Sequence, residues 1–513
     1  MVSTAHPLAT GIGIDVLRKG GNCVDAAIAV AAALNVVDMC STGIGGDAFA
    51  LVFFREEGLV TSLNASGRSP FDASIERYKK SGHFAIPERG PLSVTTPGAL
   101  GGWTMLHERY GAMPFAELLQ PAIKLAKDGF EISAAISLFI GLSAQVIGRF
   151  QDTARVYLRP DGSYPMPGET LRQPELGASL ELVAAQGSSA MYGGPLGREI
   201  SRFLKKNGGL LSEKDFDEHR MEWVEPIHTS YREYEVYTTP PNSQGLALLE
   251  MLNIMEGYDI KSMGSGSADL MHLQVEAKKA AFGNRNRFIC DPDFHETPTS
   301  ELLSKEYAEE TRARIDPKRA SGTGPARRPE SGDTTYFCIV DSEGNMVSFI
   351  NSLFELFGSG MIGGDTGIIL QNRGRGFSFD PHHPNSLQPH KRPMHTLAPC
   401  IVLKESRPFL VLGCIGGDQQ PQGLLQVLLN IIDFGMSPQE AIDAPRWRSY
   451  EGGKLALEAA VGTRVVHSLS ARGHILTEEA DFFGGCQCIM FEENGRLKGG
   501  SDPRLAGCWQ GLT

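Results

Sequence analysis

The chain has 513 residues, of which 41% are hydrophobic and 21% are charged, a balance typical of a globular protein with a large buried core. Its net charge of −12 argues against nucleic acid as a partner, because phosphate binding needs a cationic surface. The N-terminus has no basic region followed by an apolar stretch, and the longest apolar run, Ala26 to Val37, is too short to cross a bilayer. We therefore expect a cytoplasmic protein with no membrane partner.

In chain order, the first half is predicted to combine core helices with paired strands. Residues 8–37 predict a helix in two pieces, broken at Gly20-Gly21-Asn22, and the second piece is apolar at helical spacing. A glycine cluster at 43–46 leads into the strand AFALVFF, and a second strand, LVTSLNAS, follows after a turn. Mainly helical segments are then predicted at 92–145, 170–225 and, after the loop PPNSQG, up to residue 295.

Residues 316–333 differ from their surroundings because they are polar, rich in Gly, Pro and Arg, and free of large apolar residues, which predicts a linker. The chain then becomes strand-like, and TTYFCIVD and MVSFINSLF predict a hairpin around a short polar turn. Further strands are predicted at GIILQN, APCIVLK and RPFLVLGC, and LLQVLLNIIDFG predicts a core helix. Strands with helices outside them predict a layered α/β or α+β domain.

The cysteine and histidine residues offer two weak candidates for a metal site. Nine cysteines are scattered through the chain, several in apolar runs, which favours buried free thiols over disulfides. Cys486 and Cys488 have no second Cys/His pair at zinc-like spacing, so we interpret them as strand residues that face the same side. The run Asp380-Pro381-His382-His383 suggests a loop, and no H-E-x-x-H helix is present. We expect neither a metal nor a cofactor.

The junction Gly332-Asp333-Thr334-Thr335 joins the predicted linker to an apolar strand. If the bond between Asp333 and Thr334 were cut, a threonine with a free α-amine would stand at a rigid strand start. That amine could accept the proton of the threonine's own hydroxyl group, so one residue would supply nucleophile and base. Taken alone, a Thr-Thr pair is more typical of an ordinary strand, because β-branched residues favour strands.

The segment GDTTYFCIVDSEGNMVSFINSLFELFGSG closely resembles the self-cleavage segment of the gamma-glutamyltranspeptidase family. Further matches follow in the family's order along essentially the whole chain: MVSTAHPLAT, RKGGNCVDAAIA, GIGGDAF, PPNSQGLALLEMLNIMEG, MHLQVEAKKAAFGNRNRFICDPDF, KRPMHTLAP, GCIGGDQQPQ and GGSDPR. The resemblance implies an α+β fold, the four-layer αββα sandwich of the N-terminal-nucleophile hydrolases. It also implies acyl transfer through a threonyl ester and two subunits from one precursor, 1–333 and 334–513, which together form one αββα unit.

The resemblance also assigns catalytic roles. Thr334 matches the nucleophile, and the bond between Asp333 and Thr334 matches the self-cleavage point. Ser352 stands where the family has a second Thr that supports the nucleophile, and a serine can still make that hydrogen bond. The alternative for Ser352 is a strand serine that bonds to backbone. Gly416 and Gly417 match the pair whose N–H groups stabilise the oxyanion, although an isolated Gly-Gly would indicate only a turn.

The recognition of an α-amine departs from the family's pattern. The family's acidic cluster corresponds to residues 371–378, where Gly376 stands at the carboxylate position. Asn372 and Arg373 are both substrate-binding candidates, and Arg373 stands where an amide or carboxylate is usual. An ammonium group is therefore expected to find no anion here, and a guanidinium group would repel it.

Three residues are candidates for binding a substrate carboxylate. The family's Ser-Ser pair corresponds to His395 and Thr396, which can both still donate hydrogen bonds to an anion. Arg68 is the best match for the family's carboxylate-binding arginine, and a structural ion pair is its alternative. The loop between Phe377 and Lys391 is shorter than the family's lid-bearing version, and an open site favours hydrolysis of the acyl-enzyme over transfer.

These departures resemble the acylase-like branch of the family, similar to proteins labelled cephalosporin acylase or oxamate amidohydrolase. We expect hydrolysis of a small amide whose acyl part carries a carboxylate but no α-amine, such as an oxamate- or glutaryl-like compound. One alternative is a true glutathione hydrolase or gamma-glutamyltransferase of glutathione metabolism, and another is an uncleaved scaffold without activity. The expected partners are a small-molecule amide or gamma-glutamyl-like substrate and the two subunits of one precursor, and a homodimer is left open.

Overall fold

The computed structural model describes residues 1–322, 332–478 and 482–512. The strands are β1 (Val2–Thr4), β2 (Asp47–Phe54), β3 (Leu59–Ala65), β4 (Phe130–Glu131), β5 (Thr170–Leu171), β6 (Glu222–Val224), β7 (Ile227–Tyr231), β8 (Tyr234–Thr238), β9 (Asp333–Val340), β10 (Met346–Phe354), β11 (Cys400–Lys404), β12 (Arg407–Cys414), β13 (Trp447–Ser449), β14 (Lys454–Leu457), β15 (Ile475–Leu476), β16 (Cys486–Phe491), β17 (Leu497–Ser501) and β18 (Cys508–Gln510).

The α-helices cover the outer faces of these strands. They are α1 (Pro7–Arg18), α2 (Cys23–Val37), α3 (Ile75–Lys80), α4 (Ala99–Tyr110), α5 (Phe115–Asp128), α6 (Ala134–Ile147), α7 (Gln151–Tyr157), α8 (Pro174–Gln186), α9 (Pro195–Lys206), α10 (Glu213–Asp217), α11 (Gly245–Glu256), α12 (Ile260–Met263), α13 (Ala268–Phe288), α14 (Thr299–Leu302), α15 (Lys305–Ala313), α16 (Gln419–Ile432), α17 (Pro438–Asp443) and α18 (Thr463–Ala471).

Two antiparallel sheets form the centre of the described part of the chain. The first has the strand order β18-β1-β9-β10-β2-β3-β6, and the second has the order β17-β16-β12-β11-β8-β7. Each sheet contains strands from both sides of the Asp333–Thr334 bond. The segments 1–333 and 334–513 are therefore interleaved in one folded unit.

The alternation of side chains along the strands builds the layers. In β2, Phe49, Leu51 and Phe53 face the second sheet, where they share an apolar cluster with Ile401 and Val411. The intervening β2 residues belong to the cluster under the N-terminal helices, and the outer face of the second sheet packs against α11, α13 and α16. The layer order is helix, sheet, sheet, helix, so the predicted α+β αββα sandwich is confirmed.

Most predicted elements near the site are also confirmed. The break at Gly20-Gly21-Asn22 separates α1 from α2, and Asn22 caps α2 with a capping box. All 15 residues of α2 are buried, which explains its lack of a polar face. The predicted hairpin is β9–β10. The nine cysteines lie within the described residues and are free thiols, and Cys486 and Cys488 share one buried face of β16.

Two predicted segments need comment. GIILQN was predicted as a strand, which is wrong: it forms one isolated bridge, Ile362 to Ile369, within a buried loop. In the predicted linker 316–333, residues 316–322 contain neither helix nor strand, and residues 323–331 lie outside the described residues. Among the described residues, no helix is long and apolar enough to span a bilayer.

Candidate active site

Thr334 lies at the start of β9, between β1 and β10, and only 2% of its surface is exposed. The described chain runs from Gly332 directly into Thr334. A cavity of about 20 Å³ adjoins Thr334 and is lined mainly by apolar side chains, among them Ile136, Phe139 and Ile415. That volume holds roughly one water molecule, so there is little free space beside the nucleophile candidate.

A β-bulge brings Ser352 to Thr334. Asn351 of β10 pairs with Thr335, but the next pair is Phe354 with Asp333, so β10 has one extra residue opposite Thr334. The Oγ1 atom of Thr334 donates to the Oγ atom of Ser352 at 3.2 Å. The same Ser352 oxygen accepts from the backbone N–H of Phe354 at 2.8 Å. Ser352 thus has both contacts considered for it, one to the threonine and one to backbone.

Arg373 places a buried positive charge beside this hydroxyl pair. Its Nη2 atom lies 3.4 Å from Ser352 Oγ, and its Nη1 atom donates to Thr396 Oγ1 at 2.9 Å. The guanidinium carbon lies 4.1 Å from the centre of the Phe354 ring, so the ring covers one side of the cation. The predicted residues Ser352, Arg373 and Thr396 are therefore in direct contact.

Asp47, the first residue of β2, provides a carboxylate close to Arg373 and pairs with Ser352 across the sheet. Burial raises the pKa of Asp47 to about 7, although the nearby Arg373 guanidinium favours the ionised form. The Oδ1 atom also accepts from Gly67 N–H at 2.8 Å and from Gln371 Nε2 at 3.0 Å. The first residue of the strand predicted after the glycine cluster thus contributes a buried acid to the site.

His395 is bound to this acid. Its Nδ1 atom accepts from the backbone N–H of Leu397 at 3.3 Å, which assigns the ring proton to Nε2, 3.1 Å from Asp47 Oδ2. Burial, and then the Arg373 charge, hold the pKa of His395 well below its usual range. The imidazole is therefore neutral, and its N–H is directed to Asp47. Of the predicted pair, Thr396 contacts Arg373 while His395 orients Asp47.

Gly416 and Gly417 connect β12 to α16. Both have a positive φ, 110° and 60°, which a glycine adopts without a steric penalty. The carbonyl of Gly417 accepts from the N–H of Gln420 at 3.1 Å and from Gln244 Nε2 at 3.0 Å. A Cβ atom at Gly332 would lie 2.8 Å from Gly417 Cα and 3.2 Å from its nitrogen. Gly332, just before the predicted cleavage point, therefore lies close against Gly417.

The surroundings of Asn372 correct one expectation. An anion is present there, because Glu355 Oε2 accepts from Asn372 Nδ2 at 2.9 Å. This carboxylate is ion-paired with Arg375, and with Arg89 at 3.2 Å. A second carboxylate, that of Glu88, lies 3.8 Å from Arg375, so the charges of these two arginines are balanced and the further positive charge is that of Arg373. The expected absence of an anion is wrong, but the expected guanidinium groups are present.

Arg68 has the structural role that was its alternative. Its guanidinium group pairs with Asp291 at 3.1 Å, with Asp293 at 2.7 Å and with Glu222 at 3.4 Å. It makes no described hydrogen bond to Thr334 or Arg373. We therefore correct its assignment to substrate binding and omit it from the site.

Two polar residues behind the glycine pair, Gln244 and Arg285, were not predicted from the sequence as site residues. Gln244 donates from Nε2 to the carbonyls of Thr396 at 2.7 Å and Gly417 at 3.0 Å, and so ties the two parts of the site together. Its Oε1 accepts from Arg285 Nη1 at 2.9 Å, and the same Nη1 atom lies 2.6 Å from Asp418 Oδ1. Gln244 and Arg285 lie in the motifs PPNSQG and GNRNRF, but only their buried pairing places them beside the glycine pair.

The candidate metal ligands lie apart from these residues. Asp380 to His383 form a turn, as predicted, and His383 Nε2 lies 2.9 Å from the carbonyl of Asn286. Within the described residues, one group could hold a metal ion: His272, Glu276 and His474. It contains no residue that contacts Thr334, Ser352 or Arg373 in the described bonds. The site chemistry at Thr334 is therefore that of hydroxyl, guanidinium and carboxyl groups.

Comparison with known proteins identifies the family. The family model of gamma-glutamyltranspeptidase matches residues 9–511. The chain is 40% identical to the glutathione hydrolase-like YwrD proenzyme of Bacillus subtilis, covering 100% of this chain and 98% of that protein. It is 39% identical to the acylase ACY 1 proenzyme of Pseudomonas sp., over 99% of this chain and 92% of that protein.

Among solved structures, the cephalosporin acylase from Bacillus halodurans superimposes with a TM-score of 0.94 at 38% identity, covering 100% of this chain and 96% of that one. Near-complete coverage on both sides shows that the similarity extends over the whole fold. The chain therefore belongs to the gamma-glutamyltranspeptidase family and is an N-terminal-nucleophile hydrolase that acts on amide bonds.

Proposed function

We propose that Thr334, freed by cleavage of the Asp333–Thr334 bond, hydrolyses small amides whose acyl part carries a carboxylate but no α-amine. The precursor would yield two subunits, residues 1–333 and 334–513, that stay interleaved in the two sheets. The observation that carries the substrate proposal is the buried guanidinium of Arg373, 3.4 Å from Ser352 Oγ and 2.9 Å from Thr396 Oγ1.

Maturation begins with attack of Thr334 Oγ1 on the carbonyl carbon of Asp333. The C–N bond breaks, the acyl group moves to the hydroxyl oxygen, and the nitrogen becomes the free α-amine of Thr334. Water then hydrolyses the ester, leaving a carboxylate on residue 333. Ser352 orients the attacking hydroxyl. The close approach of Gly332 to Gly417 supports a role for the backbone N–H groups of the glycine pair in stabilising the developing oxyanion.

Turnover repeats this chemistry on an external amide. The α-amine of Thr334 accepts the hydroxyl proton while the oxygen attacks the substrate carbonyl, and the N–H groups of Gly416 and Gly417 stabilise the oxyanion. The proton passes to the departing amine, and a threonyl ester remains. Attack by water releases the carboxylic acid and restores the hydroxyl group.

The charge around the site supports a carboxylate-bearing acyl group. Arg373 and the Thr396 hydroxyl can bind a carboxylate by charge-assisted hydrogen bonds, which are stronger than neutral ones. An α-ammonium group would meet Arg373, and the carboxylate beside Asn372, that of Glu355, is already paired with Arg89 and Arg375. Two relatives are named acylases, which supports an acyl substrate of this kind for the present chain.

A true glutathione hydrolase is the second candidate. It is supported by the name of the B. subtilis relative and by the Glu355 carboxylate beside Asn372, which could receive an ammonium group if the arginine pairs opened. In that case Arg373 would bind the α-carboxylate of a gamma-glutamyl group. The two candidates differ in one prediction, the effect of the α-amine on turnover.

Glutaryl-p-nitroanilide and gamma-glutamyl-p-nitroanilide differ only in the α-amino group, so they test this point directly. We expect the purified mature enzyme to prefer the glutaryl compound by roughly tenfold or more in kcat/KM. Repulsion between two like charges about 4 Å apart costs about 1–4 kcal/mol, and about 1.4 kcal/mol corresponds to tenfold. Oxamate extends the panel to a short acyl group. Preference for the gamma-glutamyl compound would refute the proposal in favour of glutathione hydrolase.

Intact mass measurement separates both enzymes from an uncleaved scaffold. We expect two masses that correspond to residues 1–333 and 334–513. A single mass of the whole chain without turnover would refute the self-cleavage step itself. Thr334→Ala is expected to give that single mass, because it lacks the attacking hydroxyl group.

A further inference from the structure

Three ligand-forming side chains meet at a distance from the hydrolytic site. His272 and Glu276 are four residues apart on α13, and so lie on one side of that helix. His474 lies between α18 and β15. One ligand atom from each of the three lies within 4.8 Å of the others, and all three residues are buried. We refer to them as the His-Glu-His cluster.

The hydrogen bonds of His272 orient its ring as a ligand. Its Nε2 atom lies 2.8 Å from the carbonyl oxygen of Asp316, which can only accept, so Nε2 carries the proton. The Nδ1 atom therefore has a lone pair and accepts the Nε2–H of His474 at 2.8 Å. A metal ion would take the place of that proton, with the His474 ring in its Nδ1–H tautomer. A histidine that binds a metal ion typically donates its other N–H to such a backbone carbonyl.

Glu276 is also held in place by hydrogen bonds, and its carboxylate oxygens keep free lone pairs. One carboxylate oxygen accepts from Lys279 at 2.7 Å and the other from the backbone N–H of Ser321 at 3.1 Å. Each carboxylate oxygen has two lone pairs, so each can accept a hydrogen bond and still bind a metal ion. The nearby Arg472 is paired with Asp269. Of the positive charges next to the cluster, Arg472 thus has an outside carboxylate partner, whereas Lys279 is paired with Glu276 itself.

We propose that His272, Glu276 and His474 bind one Zn²⁺ ion or a similar transition-metal ion. Two imidazoles and one carboxylate are a zinc-type ligand set, whereas Mg²⁺ and Ca²⁺ prefer oxygen ligands. Zn–N bonds of about 2.0–2.1 Å in tetrahedral geometry require the two ring nitrogens to lie about 3.3 Å apart. A separation of about 0.5 Å from their hydrogen-bonded position is therefore sufficient. Water would complete the coordination.

The position of the cluster suggests what the ion does. Its ligands bind the stem of the linker through the Asp316 carbonyl and the Ser321 N–H, and Ala320 donates to the Arg472 carbonyl at 2.8 Å. A bound ion would hold α13, the turn at residue 474 and residues 316–321 together. This structural role goes beyond the proposed hydrolysis and does not depend on its substrate.

The test is zinc binding by the whole protein. Protein stripped with a chelator is loaded with Zn²⁺, passed over a desalting column and measured for metal per chain, with thermal unfolding recorded in parallel. We expect about one zinc per chain and a higher Tm, because a ligand that binds only the folded state stabilises it. Mg²⁺ and Ca²⁺ are expected to leave the Tm unchanged. Less than about 0.1 zinc per chain would overturn the proposal.

Two conservative variants and one matched control locate the ion. Glu276→Gln and His474→Gln keep the approximate size and hydrogen-bonding ability of the side chains, and each is expected to weaken zinc binding by roughly 10- to 100-fold or more. His467→Ala removes an exposed histidine from α18 and is expected to bind like the wild type. Equal zinc affinity in both cluster variants and the wild type would overturn the assignment.

Cobalt substitution keeps the test independent of variant folding. We expect Co²⁺ to give visible absorption bands in the wild-type protein, because two nitrogens and an oxygen would coordinate it, and added Zn²⁺ to remove them. Wild-type protein that gives no such bands after stripping and loading would contradict the proposal. Both readouts are independent of amide hydrolysis, so a failure here would leave the proposed function intact.

Discussion

The hydroxyl groups of Thr334 and Ser352 lie 3.2 Å apart because one extra residue of β10 bulges opposite Thr334. Without that bulge, the strict alternation of strand side chains would decide on which side of the sheet the Ser352 side chain lies. The bulge also allows the N–H of Phe354 to bind Ser352 at 2.8 Å, which fixes the acceptor before any substrate arrives. The preorganisation of Thr334 therefore depends on β10 as much as on β9.

Ser352→Ala is expected to slow maturation by roughly tenfold, because it removes one hydrogen bond to the attacking hydroxyl, worth about 1–1.5 kcal/mol. Ser352→Thr retains the hydroxyl and is expected to mature close to the wild-type rate. The rate is measured as conversion of the precursor band into two bands on a denaturing gel. Equal rates for Ser352→Ala and the wild type would show that the contact has no role in cleavage.

Gly332→Ala is expected to delay maturation by roughly 10- to 100-fold. The added Cβ would lie 2.8 Å from Gly417 Cα, and relieving such an overpacked contact costs about 1–3 kcal/mol. Gly322→Ala, in the same predicted linker, is the matched control, since a Cβ there meets nothing within 4 Å. Time courses on a denaturing gel compare the two variants, and similar rates would disprove the close approach.

Arg373→Gln is expected to lower kcat/KM for glutaryl-p-nitroanilide by roughly 10- to 100-fold, as the loss of a charge-assisted hydrogen bond to the acyl carboxylate predicts. Butyryl-p-nitroanilide, which has no carboxylate, serves as the control substrate and should be affected much less. The assay uses fully matured protein so that slow cleavage does not enter the rates. An equal loss on both substrates would assign Arg373 to the positioning of Ser352 instead.

Asp47→Asn is expected to change the pH dependence of stability. Because burial raises the pKa of Asp47 from 3.8 to about 7, the folded protein binds one more proton than the unfolded chain between these values. This residue therefore makes the free energy of unfolding fall as pH rises through that range, by up to about 4 kcal/mol. Asparagine does not ionise, so Asp47→Asn lacks this fall in the free energy of unfolding.

The measurement compares urea unfolding of the wild type and Asp47→Asn at about pH 5 and about pH 8, on either side of the folded-state pKa of about 7. We expect the variant to gain stability relative to the wild type at the higher pH. Asp365→Asn, at an exposed position, is the control. A stability difference that does not change with pH would contradict a raised pKa.

Local signals in the sequence were sufficient for the central features of the protein. A polar segment that ends at an apolar strand identified the Thr334 junction, and periodicity placed α1, α2 and the β9–β10 hairpin, because these elements depend on neighbouring residues. Ordered motifs along the chain identified the family and its αββα sandwich. Thr334, Ser352 and Gly416-Gly417 could be named because each lies within such a motif.

The tertiary structure alone decided which distant polar groups meet. It paired Arg68 with three carboxylates and directed His395 to Asp47, while Arg373 came to lie between Ser352 and Thr396. It also turned GIILQN into a buried loop, since a fully apolar run has no periodicity that distinguishes strand from loop. Contacts between side chains far apart in the chain depend on how the helix and sheet layers pack, and that packing cannot be deduced from a single sequence.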